Sequence, residues 1–284
     1  MYKKIIVLGA NGLIGNNIYK YLKYKKLDII PAVRNSNKKI CDKKNLFYGN
    51  LVKKNKPYFY KLKKIINISD PDLIINCIGI TKHKKKNKFH FDILNYKLLK
   101  FLLKFKIKII NFSTDCIFLG QKGSYKENSL DFDNTYYAKS KIKAEVLKSK
   151  FLITLRTSAY GKEMFTKNGL FEWFMNQKKA YGYQFAYFSG PTCHEIAQII
   201  YKYIVVNKIV SSGLFNIGGK KISKYKLLNL TKNVFSKNTV LLKTNKFKIN
   251  RSLNTTKFRN LTKYKFKSWK KMISEMKKFD EKSF

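Results

Sequence analysis

Gly9-Ala-Asn-Gly12-Leu-Ile-Gly15, set directly after the apolar run Ile5-Ile-Val-Leu8, decides the fold of this 284-residue chain. The run, extended back to Lys3, reads as a first strand, and Leu13–Lys25 reads as a helix that opens from the turn. Glycines at these spacings allow a tight turn and close backbone approach. The helix N-terminus then offers free N–H groups and its dipole to a pyrophosphate. In this position the motif predicts a dinucleotide site formed by Gly9, Asn11, Gly12, Leu13, Ile14 and Gly15, against the alternative of a merely structural turn.

Outward from that turn, short apolar runs alternate with helical patterns over the first 160 residues. Strands are predicted at Leu27–Val33, Leu46–Tyr48, Leu73–Cys77 (after the turn signal Asp70-Pro-Asp72), Ile107–Phe112 and Phe151–Leu155. Helices are predicted at Pro57–Asn67, Phe89–Phe105 and Thr135–Ser149. Such βαβ alternation predicts an α/β fold, a doubly wound parallel sheet of the Rossmann type over residues 1–160. From Gly161 the rhythm changes. Helices at Leu170–Gln177, Cys193–Val206, Ser223–Phe235 (Ser223 as cap) and Trp269–Lys278 alternate with strands at Gly182–Phe188 and Gly213–Ile217. Residues 161–284 are expected to form a smaller substrate-binding lobe, interleaved with the first domain.

Composition narrows the classes. A hydrophobic content of 44% fits a globular protein, and no run of about 18 apolar residues predicts a membrane span. Met1-Tyr-Lys-Lys before Ile5–Leu8 mimics a signal peptide, but the apolar run is too short and leads into the glycine turn. Cys41, Cys77, Cys116 and Cys193 lack C-x-x-C spacing and read as reduced thiols of a cytoplasmic protein. His83, His90 and His194 are scattered, so no metal site is expected. The formal charge is +45, yet only Arg34, Arg156, Arg251 and Arg259 among the 61 basic residues are arginines. Dedicated phosphate and base readers lean on the arginine fork. Lysines spread through every segment, with one dense run at Lys82–Lys88, read as compositional drift rather than a specific nucleic-acid surface. Weak polyanion binding at low salt is still expected.

The ends of the predicted strands carry the chemistry. NAD enzymes usually place an acidic residue after strand two; this chain has Arg34-Asn35-Ser36, suited to a ribose 2′-phosphate, so NADPH is the expected cofactor, with NADH possible. Asn50-Leu51 falls where adenine contacts are expected. Cys77-Ile78-Gly79 ends strand four beside the cofactor, and Asn95 offers a polar link toward the active site. Thr114 follows the buried fifth strand, where a hydroxyl can bond a substrate oxygen; Asp115 beside it is suited to a sugar hydroxyl or to a loop cap. Tyr137-Ala-Lys-Ser-Lys141 places a phenol and an ammonium on one helix face. Chance gives about four Tyr/Lys pairs at that spacing in such a composition. Tyr19/Lys23, Tyr21/Lys25, Tyr60/Lys64 and Tyr96/Lys100 share it, but only Tyr137/Lys141 follows Ser113-Thr114-Asp115. The expectation is that Tyr137 passes a proton, while Lys141 lowers its pKa and grips the nicotinamide ribose.

With those residues assembled, the chain resembles the extended short-chain dehydrogenase/reductase family, and within it the dTDP-4-dehydrorhamnose reductases and related sugar-nucleotide reductases. Carrying the resemblance are Gly9–Gly15, Asp72–Gly79, Asn95, Ser113–Phe118, Tyr137–Lys141 with Glu145, Leu155-Arg-Thr-Ser158, Gly190-Pro-Thr192, Gly213–Ile217 and Arg251-Ser-Leu253. It implies Thr114, Tyr137 and Lys141 as the catalytic set, with Asp115 and Thr192 near the sugar. It implies NADPH-dependent reduction of the C4 ketone of a nucleotide-linked 4-keto-6-deoxyhexose, in surface polysaccharide sugar biosynthesis, by a homodimer. Cys116 stands where the family usually has Tyr, Ala138 where it has Gly, and Ala159 where it often has Trp. These departures leave the reaction type and open the sugar, a UDP-linked N-acetylated 4-keto sugar fitting as well. A sugar-nucleotide epimerase or dehydratase of the same fold is the alternative, ahead of a noncatalytic NADP-binding regulatory subunit and a polyanion-binding structural protein.

Overall fold

The structure is a computed structural model that describes residues 1–35, 40, 45–80, 87–165 and 169–282. Ser36, Cys41, His83 and most of the 82–88 lysine run lie outside the described residues. The strands are β1 (Lys4–Leu8), β2 (Asp28–Val33), β3 (Leu46–Phe47), β4 (Val52–Lys53), β5 (Lys56–Pro57), β6 (Leu73–Asn76), β7 (Lys108–Ser113), β8 (Leu152–Arg156), β9 (Lys179–Phe188), β10 (Gly213–Asn216), β11 (Ile222–Ser223) and β12 (Val240–Asn250). Seven of them form one all-parallel sheet in the order β10-β8-β7-β6-β1-β2-β3. Strand order reverses between β1 and β6, which opens a crevice at their carboxyl ends. Register levels those ends: Leu8 pairs with Asn76, Asn76 with Asn111, and Ser113 with Arg156. The doubly wound sheet expected from the sequence is therefore present.

The helices are α1 (Leu13–Tyr24), α2 (Tyr60–Ser69), α3 (Lys88–Asp92), α4 (Leu98–Leu102), α5 (Tyr136–Glu145), α6 (Leu170–Met175), α7 (Cys193–Ile199), α8 (Lys224–Val234), α9 (Thr256–Thr262) and α10 (Trp269–Lys282). A π-helical turn, Ile93–Lys97, joins α3 to α4, and a second, Ile200–Val206, extends α7. Alternation along β1 separates two cores. Ile5 and Val7 pack with Ile18 and Leu22 of α1 and Ile196 and Ile200 on the α7 side. Ile6 and Leu8 pack with Leu62 and Ile66 of α2 and Leu98 and Leu102 of α4. Each such side chain, fully removed from water, contributes about 1.5–3 kcal/mol.

After residue 161 the chain divides its elements between two bodies. α7 packs on α1, and β10 adds to the edge of the parallel sheet beside β8. β9, β11 and β12 instead make a second sheet in the order β11-β9-β12. α8 lies directly on β9: a Cβ at Gly182 would stand 2.8 Å from the Tyr225 Cα. Phe171, Phe188, Leu227, Trp269 and Met272 fill the core of this lobe.

The structure departs from the sequence expectation in particular places. The Pro57–Asn67 helix begins only at Tyr60, because Lys56–Pro57 pair with Val52–Lys53 in a small hairpin. α5 ends at Glu145 rather than Ser149, where its last acidic side chain is drawn into an ion pair described below. β12 and α9 were not expected. β12 reads Val-Leu-Leu-Lys-Thr-Asn-Lys-Phe-Lys-Ile-Asn and is largely exposed along its length, so it lacks the apolar/polar alternation of a half-buried strand.

Candidate active site

Three glycines shape the turn after β1. Gly9 adopts φ +71°, a left-handed conformation that costs glycine little. Its N–H donates to the Ala32 carbonyl at 2.9 Å, and its own carbonyl accepts from Gly12 N–H at 2.9 Å. Gly15 has no room for a side chain, since a Cβ there would lie 2.3 Å from the Gly9 oxygen. Gly12 caps α1 with extended backbone, no side chain caps it, and the first turn carries no acidic residue. The first N–H groups of α1 therefore face the crevice free for an anion. Asn11, Leu13 and Ile14 are partly exposed on the turn. A Cβ on Gly9 would stand 3.1 Å from the Cys77 carbonyl carbon and the Ile78 nitrogen, so the turn lies against the end of β6.

Arg34 is exposed just past β2, and its carbonyl accepts from Gly49 N–H at 3.1 Å. Its charge acts on the buried Tyr48 phenol, whose pKa burial pushes up. Asn50 is exposed beside it. Leu51, expected near the adenine, has its side chain buried in the core with Leu8, Ala32 and Leu62.

Asn95 is placed inward by the π-helical turn. Its Oδ1 accepts from Ile80 N–H at 3.2 Å, and its Nδ2 donates to Ser140 Oγ at 3.0 Å. Ser140 donates in turn to the Tyr137 carbonyl at 2.8 Å. The loop after β6, which includes Gly79, is thus tied to α5 through buried polar groups.

α5 begins where Thr135 accepts from Ala138 N–H at 3.3 Å, and it carries Tyr137 and Lys141 one turn apart. Tyr137 is 8% exposed and meets Phe91 edge-on at 6.1 Å. Lys141 donates from Nζ to the Phe112 carbonyl at 2.9 Å, and a Cβ on Gly79 would lie 3.4 Å from that nitrogen. Burial lowers the Lys141 pKa to about 8, opposed by Glu145 and Cys77. Thr114, just past β7, accepts from Cys116 N–H at 3.1 Å and is near enough to the Tyr137 phenol to lower its pKa. Thr114, Tyr137 and Lys141 thus converge at the carboxyl edge of the sheet, next to residues 77–79 and the glycine turn.

Burial, then Cys116, raises the Tyr137 pKa, while Thr114 and the charge of Arg251 lower it. The Lys141 ammonium is directed at Phe112 and Gly79.

Two expected substrate residues serve the scaffold. Asp115 is 3% exposed; its Oδ2 accepts from Ser158 Oγ at 2.8 Å and its Oδ1 from Thr114 at 3.3 Å. It orients the two hydroxyls, each of its oxygens accepting from one of them. Thr192 is 0% exposed and caps α7, its Oγ1 accepting from Glu195 N–H at 3.2 Å. Gly190-Pro-Thr192 is the entry to that helix, held so close that a Cβ on Gly190 would meet the Ser158 oxygen at 2.1 Å.

Two cations at the cleft were given no site role from the sequence, although Arg251-Ser-Leu253 is one of the stretches that carry the resemblance. Arg251, just past β12, donates from Nε to the Phe118 carbonyl at 2.9 Å, lies 3.6 Å from Asp133, and brings Nη1 to 3.8 Å from Cys116 Sγ. Lys224 opens α8, with its ammonium 3.7 Å over the Phe188 ring. Arginine's rarity in this chain was a usable signal for the first. Lys224 is one lysine among many and gave none. Among the described residues, no three His, Cys, Asp or Glu side chains form a metal-binding group, and no helix is long and apolar enough to cross a membrane.

The model of the NAD dependent epimerase/dehydratase family matches residues 5–151, just over half of the chain. No curated protein matches it. Solved structures that resemble the whole chain include a dTDP-4-dehydrorhamnose reductase from Bacillus anthracis in complex with NADP, 17% identical, with a TM-score of 0.76 over 97% of this chain and 99% of that one. A hypothetical dTDP-4-dehydrorhamnose reductase from Sulfolobus tokodaii is 21% identical, with a TM-score of 0.74 over 93% and 97%. A dTDP-glucose 4,6-dehydratase from Bacillus anthracis in complex with NAD is 18% identical, with a TM-score of 0.72 over 98% and 96%. At these identities the likeness speaks for the fold alone.

Proposed function

Since the chain belongs to the NAD dependent epimerase/dehydratase family, we propose that it is an NADPH-dependent reductase of the C4 ketone of a nucleotide-linked 4-keto-6-deoxyhexose. The observation that carries this reading is the convergence of Thr114, Tyr137 and Lys141 beside the glycine turn. The turn fits a dinucleotide: Gly9 and Gly15 leave no space a Cβ would fill, and the N-terminus of α1 faces the crevice uncapped. The NADP and NAD held by similar structures support a nicotinamide cofactor.

A bound nicotinamide supplies the hydride. The chain does the rest. α1 holds the pyrophosphate with its free N–H groups, and Arg34 takes the 2′-phosphate. Lys141, deep between Phe112 and Gly79, takes ribose hydroxyls. Thr114 donates to the ketone oxygen, and Tyr137 passes its phenolic proton to that oxygen as it becomes a hydroxyl. Asn95 and Ser140 keep α5 in register with the loop after β6.

The second reading is an epimerase or dehydratase of the same fold, for which Thr114-Asp115 supplies the acidic neighbour; Arg34, suited to NADPH, favours the reductase. The test is incubation with NADPH and a panel of dTDP- and UDP-linked 4-keto-6-deoxy sugars. One sugar should consume NADPH stoichiometrically. Sugar conversion without net consumption would assign the epimerase or dehydratase reading instead.

A further inference from the structure

β9 carries its large rings on the side away from the core. The side toward α8 holds Ala180, Gly182 and Ala186, all buried, because that helix lies directly on the strand. The opposite side holds Tyr181, Tyr183 and Phe185, which are 55%, 41% and 38% exposed. A half-buried strand ordinarily turns its apolar groups inward and shows polar ones to water. β12 continues the same outer face. Leu242 pairs with Tyr181 and Thr244 with Tyr183, and the exposed Phe247 ring lies 5.5 Å from that of Tyr183. Val240, at the start of β12, adds further exposed aliphatic surface. Lys179, Lys243, Lys246 and Lys248 are exposed on the same two strands, with the Lys248 ammonium 5.5 Å over the Phe185 ring. Neither strand carries an acidic residue, and the sequence has none between Glu195 and Glu275. Composition accounts for the lysines, but not for aromatic rings turned to water opposite a row of small buried residues.

We propose that the outer face of the β9–β12 sheet docks on an anionic lipid surface. Exposed apolar patches framed by polar groups mark interaction sites, and the lysines here call for a negatively charged partner. The apolar groups decide which one. Rings alone would suit stacked bases, yet Val240 and Leu242 offer no stacking face, and neither strand has an arginine to read a base or fork onto a phosphate. Aliphatic groups gain by leaving water for the boundary between headgroups and acyl chains. Tyrosine suits that level, with an apolar body and a polar tip, and lysines act there as point charges toward anionic headgroups. A second copy of the chain would bring the same lysines against one another with no carboxylate between them. Val240 and Tyr181 lie near the starts of two parallel strands, at the end remote from Arg251 and the Tyr137 cleft. Docking through them leaves that cleft open, so the proposal stands apart from the reductase reading.

The test is co-sedimentation of the full chain with vesicles of phosphatidylcholine alone and of phosphatidylcholine mixed with phosphatidylglycerol, at about 0.15 M salt. The chain should pellet with the anionic vesicles and stay in solution with the neutral ones. Tyr181→Ser combined with Leu242→Ser, two residues paired across the strands, should weaken anionic-vesicle binding about tenfold or more, because two apolar groups no longer leave water. Both side chains are exposed, so thermal unfolding of the double variant should match the wild type. Lys63→Met, at an exposed lysine of α2, should bind like the wild type and so sets this face apart from the general +45 charge. Leu242→Trp gives a readout that a loss of fold does not mimic: its added emission should be quenched by anionic vesicles with brominated acyl chains. Unchanged binding in the double variant, equal loss in Lys63→Met, or an indole that the brominated chains do not reach would overturn the proposal. Two further results would also overturn it. Loss of oligothymidylate capture in the double variant with vesicle binding intact would assign the face to nucleic acid. A lipid-free dimer that the double variant abolishes, again with vesicle binding intact, would assign it to a second copy. Keto-sugar turnover in lipid-free solution should be equal in wild type and double variant, so the docking face and the reductase reading fail separately.

Discussion

Arg156 and Glu145 form a buried bidentate ion pair, with Nε to Oε1 at 2.9 Å and Nη2 to Oε2 at 2.6 Å. Arg156 is 1% exposed and ends β8; Glu145 ends α5, one turn beyond Lys141. Arg156 Nη1 also donates to Asn216 Oδ1 at 3.2 Å on the neighbouring strand β10. The pair therefore anchors the helix of Tyr137 and Lys141 to the sheet whose edge carries Thr114. Glu145→Gln leaves a buried guanidinium half-compensated, and should cost about 3–5 kcal/mol of stability in urea unfolding. The exposed Lys139→Gln on the same helix should stay within about 0.5 kcal/mol.

Tyr137→Phe keeps the ring against Phe91 and removes only the hydroxyl, whose pKa Thr114 lowers. Turnover with the keto sugar should fall by about 10²–10⁴-fold. NADPH affinity, measured by fluorescence titration, should remain, because the glycine turn and Lys141 are untouched. Unchanged turnover would remove the phenol from its proposed role.

The parts of the site legible in sequence are those written in local spacing. Gly9–Gly15 opens α1, and Tyr137 and Lys141 fall one turn apart on α5, because both patterns depend on neighbours within a few residues. The parallel sheet was legible for the same reason, its central strands β6 and β8 being short runs buried throughout. Asp115 and Thr192 sit at the expected places but spend their oxygens on Ser158 and on the α7 cap. Residue type alone does not say whether a polar group faces a ligand or a backbone. Arg251 reaches Cys116 only through the packing of the second lobe, so the Arg251-Ser-Leu253 stretch did not by itself tell which group the guanidinium meets. β12 escaped because its side chains are solvated on both faces and carry no period.

Lys141 gives stability a pH dependence with a definite sign. Its pKa in the folded chain is about 8, against 10.5 for the ordinary side chain. Below the folded pKa both folded and unfolded chains hold the proton, and the full cost of burying the ammonium is present. Between about 8 and 10.5 the unfolded chain binds more protons, so stability rises with pH. At 1.36 kcal/mol per unit the cost amounts to roughly 3 kcal/mol. The stability difference between Lys141→Met and the wild type, measured by denaturant unfolding from about pH 7 to about pH 10, should be largest at the low end and shrink upward. A difference flat across that range would deny the buried ammonium this role.

The proposed preference for NADPH rests on Arg34. It stands exposed after β2, where Val33-Arg34-Asn35 offers no carboxylate to hold a ribose 2′-hydroxyl. A 2′-phosphate would accept a charge-assisted, bidentate contact from its guanidinium, worth about 1.5–3 kcal/mol. Arg34→Ala should therefore weaken NADPH binding about tenfold to a hundredfold and leave NADH binding almost unchanged. The side chain is exposed, so the substitution should not disturb the fold, and thermal unfolding of the variant should match the wild type. Titrating both dinucleotides against both proteins separates the outcomes. Selective loss of NADPH affinity assigns the 2′-phosphate to Arg34, whereas equal losses would mean that the guanidinium serves only the general positive field of the chain.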